Sequence, residues 1–279
     1  MQVLRTCLIL GCLILLAGFG GGPQACAEKP PNIVYILADD LGYGDVSCLN
    51  EQCVWSTPNI DRLAGEGIRF TDAHSGSAVC TPTRYGILTG RYAWRSRLKR
   101  GVLHGDSPHL IDPERMTVAS FLKKHGYHTG VIGKWHLGWD FANQSADPQQ
   151  IDFSKPVENG PPVYGFDYSY CHNGSLDMAP YVYVENGQIT AAPDRTTENK
   201  DYQAYWHKGL TGADFDHTDV LPNFTRHAVE YLRTHGRNSK PFFLYLPLPA
   251  PHTPILPLPE FQGKSHTNAY GDFVLQVDD

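Results

Sequence analysis

Apolar and polar positions alternate between two periods along the chain. Residues Asn32–Ala38 (NIVYILA) form a continuous apolar, β-branched run, the pattern of a strand buried on both faces of a parallel sheet. Asp39 and Asp40 close that run. Thr57-Pro58 then opens a helix that continues to Glu66, and Ile68–Ala73 predicts a second strand. Thr81-Pro82 opens another helix, and Thr117–His125 (TVASFLKKH), closed by Gly126, reads as an amphipathic helix leading into a strand over Tyr127–Ile132. Residues 140–215 are rich in Pro, Gly, Asn and Tyr without a helical period, so they predict an excursion of loops and short strands. The alternation then resumes with a helix over His217–His235, a buried strand over Pro241–Leu246 and a helix beginning at Tyr270. This order predicts one α/β domain, a mostly parallel central sheet flanked by helices, with ligands gathering at the carboxyl ends of the strands.

Composition narrows the function. The 279 residues are 41% hydrophobic and 19% charged, which supports an ample core and excludes a disordered or collagenous chain. Lys and Arg number 23 against 29 Asp and Glu, a formal charge of −6, and no long basic run is present to track a phosphate backbone. Nucleic acid is therefore not an expected partner.

The first residues read as an address. Arg5 precedes an uncharged stretch whose apolar part, Leu8–Phe19, is too short to span a bilayer of roughly 30 Å. It ends in Gly20-Gly21-Gly22 and then Ala25-Cys26-Ala27, a small-x-small cleavage pattern. The expectation is a signal peptide over residues 1–27, cut after Ala27, and a secreted or periplasmic mature chain from residue 28 with no stable membrane insertion. Of seven cysteines this leaves Cys48, Cys53, Cys80 and Cys171, too few for a disulfide scaffold, although the spacing permits a Cys48–Cys53 bridge. No Cys-x-x-Cys pair is present to suggest zinc.

Four groups of residues carry candidate chemistry. Asp39-Asp40 at a strand end suits a hard cation, provided the chain leaves strand geometry there, which Gly42 and Gly44 would allow. Cys80-Thr81-Pro82-Thr83-Arg84 places a thiol at a helix start, where free N–H groups and the dipole favour an anion, with Arg84 leaning back toward Cys80. Lys134 and His136, two apart at a strand end, would share one face in extended chain and reach one anion, while Trp135 points into the core. His252 is held between prolines in PAPHTP after the PFFLYL strand. His104, His109, His172 and His217 lack such context and read as surface or core residues; His74 precedes the Cys80 motif and is a candidate cleft-lining residue.

The sequence resembles the type I sulfatase family, of the alkaline phosphatase-like fold. The resemblance rests on PNIVYILADDLGYGD, TPNIDRLAGEGIRFTDAHSGSAVCTPTRYGILTGRY and GYHTGVIGKWHLG, in that order. It implies that Cys80 is oxidised to formylglycine by a formylglycine-generating enzyme, and that the hydrated aldehyde is the nucleophile toward a sulfate ester. It implies further that Asp39, Asp40 and residue 80 hold a divalent metal, calcium or alternatively magnesium. Arg84 would orient residue 80, Lys134 would bind sulfate, and His136 would handle the hydroxyl proton. His252 would contact sulfate and protonate the leaving oxygen. Ser175 is a further candidate for substrate contact.

Two departures stand beside it. An uncapped amphipathic pattern stops at Asp279, and the family's downstream metal pair, lysine, last core strand and C-terminal subdomain have no counterpart here, so the expectation is an N-terminal fragment with little or no activity by itself. Asp278-Asp279 is expected on a solvated helical face rather than at the metal. The alternatives are a phosphodiesterase or phosphonate hydrolase of the same superfamily, whose substrates are also tetrahedral anions, and a noncatalytic module that binds sulfated polymers.

Overall fold

The computed structural model describes residues 30–143 and 150–279. The expected signal peptide and its cleavage point lie outside the described residues, as does a short part of the excursion, 144–149. Residues Pro31–Asp279 form one compact unit.

In chain order its elements are β1 (Ile33–Asp39), α1 (Pro58–Glu66), α2 (Cys80–Thr89), α3 (Val118–Lys124), β2 (His128–Lys134), β3 (Tyr168–His172), β4 (Val184–Glu185), β5 (Gln188–Ile189), β6 (Pro193–Asn199), β7 (Trp206–Gly212), α4 (Val220–His235), β8 (Phe242–Pro251) and α5 (Ala269–Asp278). The main sheet has the order β1-β8-β2-β3-β4-β5. The pairs β1–β8, β8–β2 and β2–β3 are parallel, and β3–β4 and β4–β5 are antiparallel. β6 and β7 make a separate antiparallel ribbon. The α/β architecture with a mostly parallel sheet is thus as the alternation predicts.

The period of two along the central strands sorts their side chains onto two cores. Val131, Phe243 and Tyr245 join Tyr85 and Leu88 of α2 and Ala119 of α3 on one face. Their neighbours Ile132, Phe242 and Leu244 join Phe224, Ala228 and Tyr231 of α4 on the other. Each buried aromatic or aliphatic side chain removed from water contributes roughly 1.5–3 kcal/mol, so these two layers set the register of β2 and β8. Gly133, at φ +133, lets β2 approach β8 closely: a Cβ there would lie 2.2 Å from the Pro247 carbonyl oxygen.

Three expectations are corrected. No strand forms over Ile68–Ala73, where Ile68 and Phe70 are exposed and no ladder partner is present among the described residues. β1 is not buried on both faces: Val34, Tyr35 and Ile36 are 42–55% exposed, because β1 pairs with β8 alone and is an edge strand of the described sheet. The excursion between 140 and 215 forms loops and short strands as its composition predicts, and one of those strands, β3, joins the main sheet. Helix α2 begins at Cys80 rather than after it, which places Pro82 in the first turn, where its missing N–H leaves nothing unsatisfied.

Asp278 also departs from expectation, since it is buried rather than on a solvated face. Its carboxylate accepts hydrogen bonds from the backbone N–H groups of Asn59 (3.1 Å) and Ile60 (2.8 Å). Those donors belong to the first turn of α1, so a residue at the far end of the chain satisfies helix-terminal groups that Thr57 leaves open. Cys48, Cys53, Cys80 and Cys171 are all free thiols, so the permitted Cys48–Cys53 bridge is not formed. Among the described residues no helix is long and apolar enough to cross a membrane.

Candidate active site

β1, β2 and β8 run parallel, so their carboxyl ends Asp39, Lys134 and Pro251 emerge together. The N-terminus of α2 meets them there. A cleft of about 570 Å³ is lined by Leu37–Leu41, Ser75, Ser77–Cys80, Thr83 and Arg84. Two larger cavities, of about 800 and 740 Å³, contain neither Asp39 nor Cys80. One of them adjoins this cleft through Leu37, Ser75 and Thr83 and takes in His74, which is therefore beside the cleft rather than in it.

The charged centre is almost dry. Lys134 Nζ donates to Asp39 Oδ2 and to Ser175 Oγ, and lies 3.3 Å from Cys80 Sγ. Asp39, Lys134 and Ser175 are 5, 1 and 0% exposed, so each depends on the others for its polar contacts. Burial alone would push the Asp39 carboxyl up, but the Lys134 and Arg84 cations hold it well below the usual range. Arg84, itself fully buried, donates to the carbonyl of Lys134 (2.7 Å) and approaches Leu248 O (3.5 Å) and Asp39 Oδ2 (3.4 Å). It thereby ties α2 to the ends of β1, β2 and β8. The expectation that it leans directly on Cys80 gives way to this clamp, since its polar contacts are on the strands.

His252 closes the other side. Its Nδ1 donates to the Thr253 carbonyl at 2.5 Å, which leaves Nε2 facing the cleft, 3.7 Å from Asp40 Oδ2. Burial by itself raises the Cys80 thiol, yet the hydrogen bond with His252 and the Lys134 charge bring it below its ordinary value. The same hydrogen bond lifts His252 above its ordinary value against the opposing effect of burial.

The bend that presents Asp39 and Asp40 differently is made by Asp40 itself, at φ +62, and by a register shift after Leu37. Gly42, at φ −73, is not the hinge. The expected common face of Lys134 and His136 does not form either, because β2 ends at Lys134 and His136 turns to φ +51. Lys134 reaches the carboxylate and thiol, whereas His136 Nε2 donates to the Leu103 carbonyl at 2.8 Å. The His136 imidazole is fully buried, and burial followed by the Lys134 charge keeps it neutral, far below its ordinary value. Trp135 is core, as its position predicts.

Sequence reasoning missed Thr81 and Asn173. The Thr81 hydroxyl and the Asn173 carbonyl both bind the His136 peptide, at 3.0 and 2.5 Å, but neither residue has a spacing that signals this contact.

The Sulfatase family model matches residues 31–279. The chain belongs to the sulfatase family. It is 36% identical over 285 residues to an N-acetylgalactosamine-6-O-sulfatase of Bacteroides thetaiotaomicron, covering 90% of this chain and 54% of the relative. It is 33% identical to human arylsulfatase A, covering 90% and 47%. A solved structure from work on the metabolism of multiple glycosaminoglycans by Bacteroides thetaiotaomicron superposes with a TM-score of 0.77 at 35% identity, covering 90% of this chain and 57% of that one. The chain therefore spans about half the length of the sulfatases it matches.

The donor chemistry around Asp39 and Asp40 fits part of a hard-cation shell. Two carboxylates are ligands that calcium takes, but they fall short of its usual six to eight. Among the described residues no third acidic, histidine or cysteine ligand gathers with them into a complete site.

Proposed function

We propose that this chain carries the nucleophile-bearing part of a sulfuric ester hydrolase that acts on sulfated sugars. The observation that supports this best is the convergence of Cys80, Lys134, Asp39, Ser175 and His252 on one cleft at the head of α2. Residue 80, matured to formylglycine by a dedicated enzyme, supplies a hydroxyl nucleophile and, through the second hydroxyl of the hydrated aldehyde, a route for releasing sulfate. Asp39 and Asp40 would hold a divalent metal, which would supply charge toward the sulfate oxygens.

The remaining work falls to this chain's own side chains. Lys134 places an ammonium beside residue 80, where it binds sulfate oxygens, and Ser175 steadies that ammonium. Arg84 adds positive charge and fixes the strand ends. With Nδ1 committed to the Thr253 carbonyl, His252 offers Nε2–H as the acid for the leaving oxygen. His136, whose buried Nδ1 has no partner among the described residues, is the proposed acceptor for the hydroxyl proton of residue 80. Cys80, Arg84, His136 and His252 are the proposed catalytic residues, Lys134, Ser175 and His252 the substrate contacts, and Asp39, Asp40 and residue 80 the metal ligands.

The names of the bacterial and mammalian relatives support a sulfated amino sugar, with N-acetylgalactosamine 6-sulfate as the first substrate to test. The leading residues support export, with residues 1–27 removed and residues 28–279 forming catalytic-domain chain. A second reading, an anion pocket that binds sulfated polymers without turnover, draws on the short metal donor set. The deciding experiment is sulfate release from N-acetylgalactosamine 6-sulfate, with p-nitrophenyl sulfate and bis(p-nitrophenyl) phosphate in parallel, together with peptide mass spectrometry across residue 80 on protein from its native host. Sulfate release that vanishes in Cys80→Ala supports hydrolysis. Saturable binding without release supports the binding module, and preference for the phosphate ester supports a phosphodiesterase.

A further inference from the structure

Thr81 closes a ring of three buried residues behind the nucleophile. Its Oγ1–H donates to the His136 carbonyl at 3.0 Å, and the same oxygen accepts from the Leu103 N–H at 3.2 Å. The Leu103 carbonyl in turn accepts from His136 Nε2 at 2.8 Å. Thr81, Leu103 and His136 are 0, 4 and 0% exposed, so water does not compete for any of these bonds. A carbonyl oxygen can only accept, so the contact with Leu103 requires the proton on Nε2 and leaves Nδ1 as a lone-pair acceptor. That Nδ1 is buried and has no partner among the described residues. A buried acceptor left open is costly, and such atoms are retained where chemistry uses them.

We propose that Thr81 is a positioning residue, whose hydroxyl locks the Leu103 and His136 peptides to the first turn of α2 and so holds the His136 ring in one orientation as the Nε2–H tautomer. The hydroxyl is suited to this because it donates once and accepts once, joining two backbone groups from segments far apart in sequence. His136 is at φ +51, where a non-glycine residue needs its surroundings to hold it, and Asn173 O supplies a second restraint by accepting from the His136 N–H. Because Thr81 follows Cys80 directly in the helix, the lock ties the position of residue 80 to that of the imidazole. Its consequence for turnover rests on the proposed sulfatase reading; the lock itself does not.

The test is nitrogen-15 NMR of the histidine side chains in the 279-residue chain, with His136→Gln identifying the His136 signals. The wild type is expected to show His136 as a single Nε2–H tautomer across neutral pH. Thr81→Ser should keep it, and Thr81→Val, of similar shape but without the hydroxyl, should give a tautomer mixture or averaged signals. An Nδ1–H tautomer in the wild type overturns the proposal, and so does a folded Thr81→Val with unchanged His136 signals. Should Thr81→Val not fold, the wild-type tautomer and the Thr81→Ser spectrum decide. In active enzyme Thr81→Val is expected to lower kcat at least about tenfold with a smaller change in KM, and Thr81→Ser to restore it. An enzyme with no sulfatase turnover at all would sink the functional reading while leaving the NMR result standing.

Discussion

Lys134 and Asp39, 95 residues apart, meet as a direct ion pair in which both side chains are buried, at 1 and 5% exposure. The pair joins the carboxyl ends of β2 and β1 across β8, and it leaves Lys134 3.3 Å from Cys80. Removing either partner strands the other charge in a low-dielectric site. Lys134→Met is expected to destabilise the fold by about 3 kcal/mol, with Arg84 moderating the loss, and Asp39→Asn by a similar amount. Urea unfolding measures both, and a change within experimental error for the two variants would contradict the structural role assigned to the pair.

Cys80 provides a pH-dependent readout in protein prepared without conversion to formylglycine. The His252 hydrogen bond and the Lys134 charge outweigh burial and lower the thiol pKa, so more thiolate is present near neutrality than for an ordinary cysteine. Alkylation of Cys80 by iodoacetamide, followed by peptide mass spectrometry, is expected to reach its half-maximal rate at a lower pH than alkylation of a free cysteine does. His252→Ala should move that midpoint upward. A midpoint that stays put in His252→Ala is the result that contradicts the coupling.

His172 and His217 set a limit on acid stability. Burial disfavours their charged forms and brings them to about 4 and about 3, against an ordinary 6.5. Between those values the unfolded chain binds protons that the folded chain refuses, so stability rises with pH in that window. Their contribution is complete above 6.5 and is lost as the pH falls toward the folded values. About 2 kcal/mol for each is expected to disappear between about pH 7 and about pH 5. His217→Phe should flatten the measured slope, and an unchanged slope would point to other groups.

Asp278 tests a different assignment, the cap of α1. Asp278→Ala is expected to cost about 1 kcal/mol through the lost bonds to Asn59 and Ile60, and to leave calcium binding by calorimetry unchanged. Weakened calcium binding would restore the metal role that its position in the fold argues against.

Much of the fold and several of the site residues were legible in the sequence, and for identifiable reasons. Apolar runs marked β1 and β8, the Thr57-Pro58 pair marked the start of α1, and amphipathic spacing marked α3, because burial of one face imposes its own period on the chain. Asp39, Cys80 and Lys134 stood out as carboxylate, thiol and cation at strand or helix ends, where parallel sheets gather ligands. The strand expected over Ile68–Ala73 failed because a β-branched run needs a ladder partner, and none is present among the described residues.

What only the tertiary structure decided was which distant groups share one dry space. A local pattern determines which face of an element is apolar, but not which carboxylate meets which cation. The meeting of Lys134 with Asp39 and Ser175, the clamp of Arg84 on three strand ends, the cap on α1 from Asp278 and the ring through Thr81, Leu103 and His136 all join segments separated by 22 to 219 residues. Those pairings depend on strand order and on the turns at Asp40 and His136, both at positive φ. No periodicity encodes them; they form because buried charges and peptide groups must find partners once water is excluded.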